Sequence, residues 1–364
     1  MMLVSSVARL VFRIATLLIW MLTVISGYAG HVPPALWALP AVLVLAFPYL
    51  FVFSIVLGVI WLLMRRFVMA GICGLVVFIC LPSATVSCPL RVSRTPSSSK
   101  NVFTLLSYNV MKGIENTKQD FDYSRAYSYM IASGADVICA QELSDLKGDF
   151  RSKASDAQLD SLRKIYPFII EGKTVSQTIF SKFPVVIGEK FPRKRGDFAV
   201  FHLKIKDRRV DIASVHLASF MLSEKERGLV KDLKTSDPKD GIRELRNTVS
   251  GKLLEGFRQR ASDAVLLRDV ADRLSGNLII CGDFNDVPAS WVYNEVRGDD
   301  MNDAVAETGF GPLHTYNDHQ FYFRIDQVLY RGDLRAISVE RSKIDASDHY
   351  PLLVTFEFTG KKIN

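Results

Sequence analysis

The stretch Leu278-Ile279-Ile280-Cys281-Gly282-Asp283-Phe284-Asn285 is the most informative in this chain. Four apolar residues stopped by a glycine have the form of a short buried strand. Asp283 and Asn285 then stand where that strand ends, the place from which a rigid sheet can hold polar groups in fixed positions. Immediately upstream, Leu253, Leu254, Phe257, Ala261, Ala264, Val265, Leu267, Val270, Ala271 and Leu274 recur at helical spacing. They predict a long helix from about Lys252 to Leu274, with Gly276 as its stop.

Working outward, further strand-sized runs cover Val102 to Tyr108, Val137 to Ala140, Thr178 to Phe180, Phe198 to Ile205, Val210 to His216, Gln327 to Tyr330 and Leu352 to Phe358. Helical spacing recurs over Tyr123 to Ala132 and Ser155 to Ile165. Strands and helices mixed in this way indicate an α/β or α+β domain over residues 102–360. The five cysteines include no pair with metal-ligand spacing, which argues against zinc and against a disulfide framework. A formal net charge of +7 is compatible with a polyanionic partner, and equally with solubility alone.

Residues 1–90 are of a different kind, nearly uncharged and strongly apolar. Stretches at about 7–28, 35–64 and 67–86 each supply the roughly 20 apolar residues that a helix needs to cross a bilayer. Pro40 and Pro48 predict a tilt or kink in the second. The first also has the form of a signal peptide, but two further spans would still hold the chain in the lipid bilayer. Arg9 and Arg13 lie at the start of the first span and Arg65-Arg66 separate the second from the third, while the loop between the first two has no Lys or Arg. That distribution predicts a multi-pass protein of the cell's inner membrane, with the large domain on the extracytoplasmic, periplasmic side. Residues 91–101, containing Arg94-Thr95-Pro96-Ser97-Ser98-Ser99-Lys100, read as a flexible linker.

Polar residues stand at the ends of several predicted strands. Asn109 follows Leu105-Leu106-Ser107-Tyr108, Gln141-Glu142 follow Val137-Ile138-Cys139-Ala140, and His216 ends Ala213-Ser214-Val215. Asp326 precedes Val328-Leu329-Tyr330, and Ser347-Asp348-His349 precede Leu352-Leu353-Val354. Taken singly, each has the ordinary reading of a turn or cap residue. Their order and combination are more specific. Ser107-Tyr108-Asn109-Val110, Asp136-Val137-Ile138-Cys139-Ala140-Gln141-Glu142, Ile179-Phe180-Ser181-Lys182-Phe183-Pro184-Val185, Val215-His216-Leu217, Gly282-Asp283-Phe284-Asn285, Arg324-Ile325-Asp326 and Ser347-Asp348-His349-Tyr350-Pro351 together resemble the endonuclease/exonuclease/phosphatase superfamily. That superfamily includes pancreatic-type DNases, abasic-site endonucleases, inositol polyphosphate 5-phosphatases and bacterial sphingomyelinases.

The resemblance implies a four-layer DNase I-like sandwich, two packed β-sheets flanked by helices, here preceded by the transmembrane α-helices. It implies hydrolysis of a phosphate ester, most simply a phosphodiester in nucleic acid or in a phospholipid headgroup. It also implies a Mg2+ cofactor, with Mn2+ as the alternative, since hard oxygen ligands suit such ions. By the same resemblance Glu142 is the principal metal ligand, with Asn109 beside it and Asp348 as a further ligand. Asp283 orients or deprotonates water, Asn285 holds that water or a phosphoryl oxygen, and His349 binds phosphate with Asp326 orienting its ring. His216 takes part in proton transfer or phosphate contact, and the division of acid and base roles among His216, Asp283 and His349 stays open.

Departures are small: Val215 and Gln327 stand where relatives often carry Thr and an aromatic or His. The charged stretch from Ser223 to Ser250 reads as a solvated excursion or as a lid over the site. No exposed aromatic hairpin of the kind a lipid-inserting enzyme uses is legible, and no protein partner is implied. The competing reading is a membrane-bound binding or scaffold module that keeps the fold without turnover, and the intact polar set argues against it. A transport role is disfavoured by the lack of ionisable residues in mid-span.

Overall fold

Period-two alternation decides which side of each strand faces the interior. In β1 (Val102–Asn109), Phe103 and Leu105 enter one core, while Leu106 and Tyr108 enter another. The same sorting holds for β2 (Val137–Gln141), where Val137 and Cys139 face one way and Ile138 and Ala140 the other. β8 (Asn277–Asp283) behaves alike, with Ile279 and Cys281 inward and Leu278 and Ile280 outward. The inward set is the core between two sheets, and the outward sets meet helices.

The computed structural model describes residues 2–97, 99–110, 123–143, 146, 153–193, 196–220, 250–318 and 321–360. Residues 223–249 of the charged stretch lie outside the described residues. One sheet has the order β13-β14-β1-β2-β4-β3, where β3 is Phe168–Glu171, β4 Gln177–Ser181, β13 Leu334–Arg341 and β14 Leu352–Phe358. The other runs β5-β6-β7-β8-β12-β9, with β5 Val185–Pro192, β6 Asp197–Ile205, β7 Arg208–His216, β9 Asn302–Asp303 and β12 Asp326–Arg331. A small hairpin, β10 (Tyr316–Asp318) with β11 (Phe321–Phe323), stands apart.

Helices α4 (Ser124–Ser133) and α5 (Lys153–Ile165) cover the first sheet, and α6 (Ser250–Arg273) and α7 (Trp291–Arg297) cover the second. The four-layer sandwich expected from the motifs is present. β3, β5, β9, β13, the β10–β11 hairpin, α7 and α8 (Ala304–Thr308) add to the elements read from the sequence. Each sheet contains one parallel pair, β1 with β2 and β7 with β8. All four of these strands end at the same edge of the sandwich.

Ahead of the sandwich stand α1 (Met2–Tyr28), α2 (Leu39–Leu63) and α3 (Phe67–Ser87), three helices long and apolar enough to cross a membrane. The second starts later than the apolar run, because Pro40 occupies its first turn, where a missing N–H costs nothing. Polar groups among them are mutually satisfied: Thr23 and Ser54 hydroxyls are 2.7 Å apart, and Trp61 Nε1 donates to Thr16 Oγ1 at 3.2 Å. The segment read as a linker is exposed yet tied down. Arg91 N donates to Gly309 O at 2.9 Å, Arg94 N donates to Ile337 O at 2.7 Å, and the Arg94 guanidinium pairs with Glu307 at 2.9 Å.

Candidate active site

Continuing the inward parity past the apolar residues brings the polar ones together. Asn109, Gln141, His216, Asp283 and Asp326 each extend the inward-facing series of their strand by one or two steps. Register completes the picture: Asp197, His216, Asp283 and Asp326 are direct neighbours across β6, β7, β8 and β12. Across the facing sheet, Asn109, Gln141 and Gln177 are likewise neighbours. The two rows face each other at the sandwich edge where the parallel pairs end.

The contacts are short. Asn109, fully buried, donates from Nδ2 to Asp283 Oδ2 at 3.0 Å and to Glu142 Oε1 at 3.2 Å. Asp283 accepts from the Asn285 backbone N at 2.7 Å and from its Nδ2 at 3.2 Å, and that amide also donates to Leu217 O at 2.9 Å. His349 Nδ1 lies 2.8 Å from Asp326 Oδ2, and its Nε2 lies 3.6 Å from Asp283 Oδ2. His216 Nε2 stands 3.6 Å from Glu142 Oε1 and 3.8 Å from Asp283 Oδ2, so Asp283 sits between two imidazoles. Asp348 Oδ1 approaches His349 Nε2 at 3.9 Å. Every residue singled out from the sequence therefore belongs to one connected group.

Backbone geometry at the site is specialised. Glu142 and Asn285 have φ of 56° and 50°, the left-handed region that non-glycine residues enter at a cost of about 1–3 kcal/mol each. Gly282 has φ 132°, and a Cβ there would sit 2.1 Å from the Val215 carbonyl oxygen of the neighbouring strand. That close approach lets Asp283 drop level with His216.

Electrostatics act differently on Asp283 and His349. Burial raises the Asp283 carboxyl above its ordinary range; His349 and His216 oppose that rise and Asp326 adds to it. For His349 burial works against the charged form, but the Asp326 and Asp283 carboxylates prevail and hold the imidazole well above its usual value. An imidazolium suits phosphoryl oxygens and is no metal ligand. Asp283, Asp326 and His349 do place ligand atoms within 4.8 Å of one another. In that trio Nδ1 is engaged by Asp326, and Nε2 is the ring atom turned toward Asp283.

Asn109 and Glu142 stand side by side, their side chains 3.2 Å apart, and offer the hard oxygen chemistry that suits a divalent ion. Glu142 Oε1 is taken by Asn109, while Oε2 has no protein donor among the described residues.

Sequence reading missed the supports behind this group. Thr315 Oγ1 accepts from the backbone N of Ile325 at 3.1 Å and of Asp326 at 3.0 Å, fixing the start of β12. Gln141, Ser214 and Gln177, all buried, and the half-buried Asp197 form a chain between the sheets, with links of 3.1, 2.6 and 2.7 Å. Arg260, 1% exposed, donates to Ala218 O at 2.9 Å and pairs with Asp286 at 3.2 Å. Inward parity could have flagged Gln177 and Asp197. Nothing local marks Thr315 or Arg260. The β10–β11 hairpin, absent from the sequence reading, brings aromatic residues to the site: the Tyr316 ring centroid is 5.3 Å from that of His349, and Tyr322 is exposed.

A family model described as the Endonuclease/Exonuclease/phosphatase family matches residues 106–349. The chain belongs to that family. A second model, described as a domain of unknown function, matches residues 9–87. The UPF0294 protein VP2298 of Vibrio parahaemolyticus is 33% identical over 105 residues, a match that spans 28% of this chain and only 35% of that protein. Among solved structures, truncated TDP2 of Caenorhabditis elegans aligns at 15% identity and TM-score 0.46, over 70% of this chain and 98% of that one. An endonuclease/exonuclease/phosphatase protein of Beutenbergia cavernae aligns at 14% identity and TM-score 0.46, over 71% and 72%. A mannosyl-6-phosphatase of Bacteroides thetaiotaomicron aligns at 15% identity and TM-score 0.43, over 70% and 100%. Membership rests on the family model, which matches most of the sandwich. A phosphoesterase fold, typically divalent-metal dependent within this family, follows from it.

Proposed function

We propose that this chain is a membrane-anchored, Mg2+- or Mn2+-dependent hydrolase of phosphate esters, a phosphodiesterase, whose catalytic domain covers residues 102–360 and faces the extracytoplasmic side. The observation that carries the reading is the convergence of Asn109, Glu142, His216, Asp283, Asn285, Asp326 and His349 on one edge of the sandwich. The position of Arg9, Arg13, Arg65 and Arg66 supports the orientation.

Glu142, Asn109 and Asp348 would hold the divalent ion. When bound, such an ion neutralises charge building on the phosphoryl oxygens. His349, charged and oriented by Asp326, presents Nε2–H to a phosphoryl oxygen as a second positive group. Asp283, its basicity increased by burial, orients a water molecule with Asn285 and takes one of its protons. His216, on the opposite side of Asp283, stands where a proton can be passed to the departing oxygen. Overall one P–O bond forms to the water oxygen, one P–O bond breaks, and the leaving oxygen ends protonated.

The test uses the full chain in detergent with bis(4-nitrophenyl) phosphate, in EDTA, Mg2+ and Mn2+ in turn. Turnover should require metal and disappear in Asp283→Ala. Glu142→Gln should lose both turnover and calorimetric metal binding. Turnover that survives EDTA, or survives Asp283→Ala, would overturn the proposal.

A further inference from the structure

The edge of the sandwich that carries the site is also the edge seated on the apolar helices. Ala29, in the turn after α1, and Val44, near the start of α2, share one buried cluster with Val287 and Ile325. Val287 lies two residues beyond Asn285, and Ile325 directly precedes Asp326. Gly30 is pressed so closely against the loop before α7 that a Cβ on it would sit 1.8 Å from the Ala289 carbonyl oxygen. Asn294 Nδ2 donates to Gly30 O at 3.3 Å, and Arg324 Nη2 donates to Val86 O at 2.8 Å, near the end of α3. Tyr316 joins the two regions, packing on the Ala29–Val44 cluster while its ring lies against His349. The width of one side chain therefore separates the phosphate-facing imidazole from the ends of the helices.

Helix lengths place that contact in depth. α2 has 25 residues, about 37 Å at 1.5 Å per residue, and α3 has 21, about 31 Å. A hydrocarbon core is about 30 Å thick, with headgroup layers of about 5–7 Å on each side. The helix ends that meet the sandwich accordingly reach the headgroup layer, and His349 lies beyond them by the width of Tyr316. Leu36 and Trp37, in the connection between α1 and α2, and Phe310, which bridges Leu90 just past α3, are exposed, the kind of residues that anchor at a membrane interface. A cavity of about 390 Å³ between the end of α3 and α7 is lined by Val86, Arg91, Arg94 and Arg297, with Asp303 and Glu307 beside them, so guanidinium groups stand next to the end of that helix.

We infer that the substrate is a phosphodiester carried by a lipid of the same bilayer that holds the helices, its headgroup reaching the site past Tyr316. The inference rests on the hydrolytic reading above. A nucleic acid would have to enter between the sandwich and a layer of anionic headgroups that repels it. A lipid phosphate is already at that depth.

The test reconstitutes the full chain in phosphatidylcholine vesicles. Three arms carry the same kind of bond: a 4-nitrophenyl phosphodiester with a long alkyl chain, placed either in the enzyme's own vesicles or in separate ones, and its soluble short-chain analogue. Plasmid DNA is the fourth arm. The anchored diester in the same bilayer should turn over at least about tenfold faster than the soluble analogue at equal total concentration, because its local concentration is raised. Gly30→Val should abolish that advantage and leave the soluble rate unchanged; Val44→Ser, which adds no bulk, should reduce it. Equal rates for the two vesicle arrangements, or DNA cleaved faster than the anchored diester, would overturn the inference while the hydrolytic reading stood. Absence of turnover on the soluble analogue as well would overturn the hydrolytic reading itself, and this inference with it.

Discussion

Asp326→Asn isolates the contribution of a residue that acts through another. Asp326 Oδ2 is 2.8 Å from His349 Nδ1, with both side chains buried. At an effective dielectric of 20, that separation corresponds to about 6 kcal/mol of direct attraction for a charged pair. Not all of it is lost, because Asp283 remains 3.6 Å from the other ring nitrogen and the amide oxygen introduced by the substitution can still accept. A net loss of about 3–4 kcal/mol in the transition state is therefore expected, a fall in kcat/KM of about 10²- to 10³-fold. The backbone N of residue 326 still donates to Thr315, so circular dichroism should show an intact fold.

The pH profile distinguishes this role from a merely structural one. The His349 pKa is raised in the folded protein, so the stabilisation it contributes is complete below the unfolded imidazole value and is lost as pH rises through the folded value. Removing Asp326 lowers the folded value, and the alkaline limb of activity should move toward acid by at least about one unit. The assay is kcat/KM for bis(4-nitrophenyl) phosphate across pH at saturating Mg2+. A variant within about threefold of the parent, with an unmoved alkaline limb, would refute the role given to Asp326.

Gly282→Ala should destabilise by about 3 kcal/mol or more, since its Cβ would meet the Val215 carbonyl at 2.1 Å and its φ of 132° is strained for alanine. Thermal melting should read this as a drop of roughly 6–12 °C for a domain of this size. Arg260→Met removes the partner of Asp286 and leaves a buried carboxylate, at a cost of about 3–5 kcal/mol by denaturant titration. Because burial already raises the Asp286 carboxyl, Asp286→Asn in the same chain should recover much of that loss.

Much of the site was legible because it lies on the simplest periodicity in the sequence. Asn109, His216, Asp283 and Asp326 each follow or precede an alternating apolar run, and counting by twos assigns them to the inter-sheet face. Their mutual distances were not legible, since adjacency in the row Asp197, His216, Asp283, Asp326 depends on strand order and register. Strand β5 escaped because Gly188, Glu189 and Lys190 interrupt its apolar run, and the pairing shifts there. Arg260 reads as an ordinary charged position on a helix; only the arrival of Ala218, Phe220 and Asp286 makes it a buried hub. The seating of the sandwich on the helices could not be foreseen, because Gly30 and Ala289 are unremarkable until the fold brings them together.

The pairing of β1 with β14 has a bearing on the order in which the molecule is made. These two strands lie at the beginning and end of the sandwich in sequence, yet they are neighbours in register, and Ser347 Oγ donates to Asn109 O at 2.8 Å across a separation of 238 residues. A ribosome delivers α1, α2 and α3 first and β14 long afterwards. Through most of translation β1 must wait with one edge open, the slow closing step that long-range pairing imposes. His349, three residues before β14, reaches its place only when that edge is filled, so the polar group at the sandwich edge is completed last.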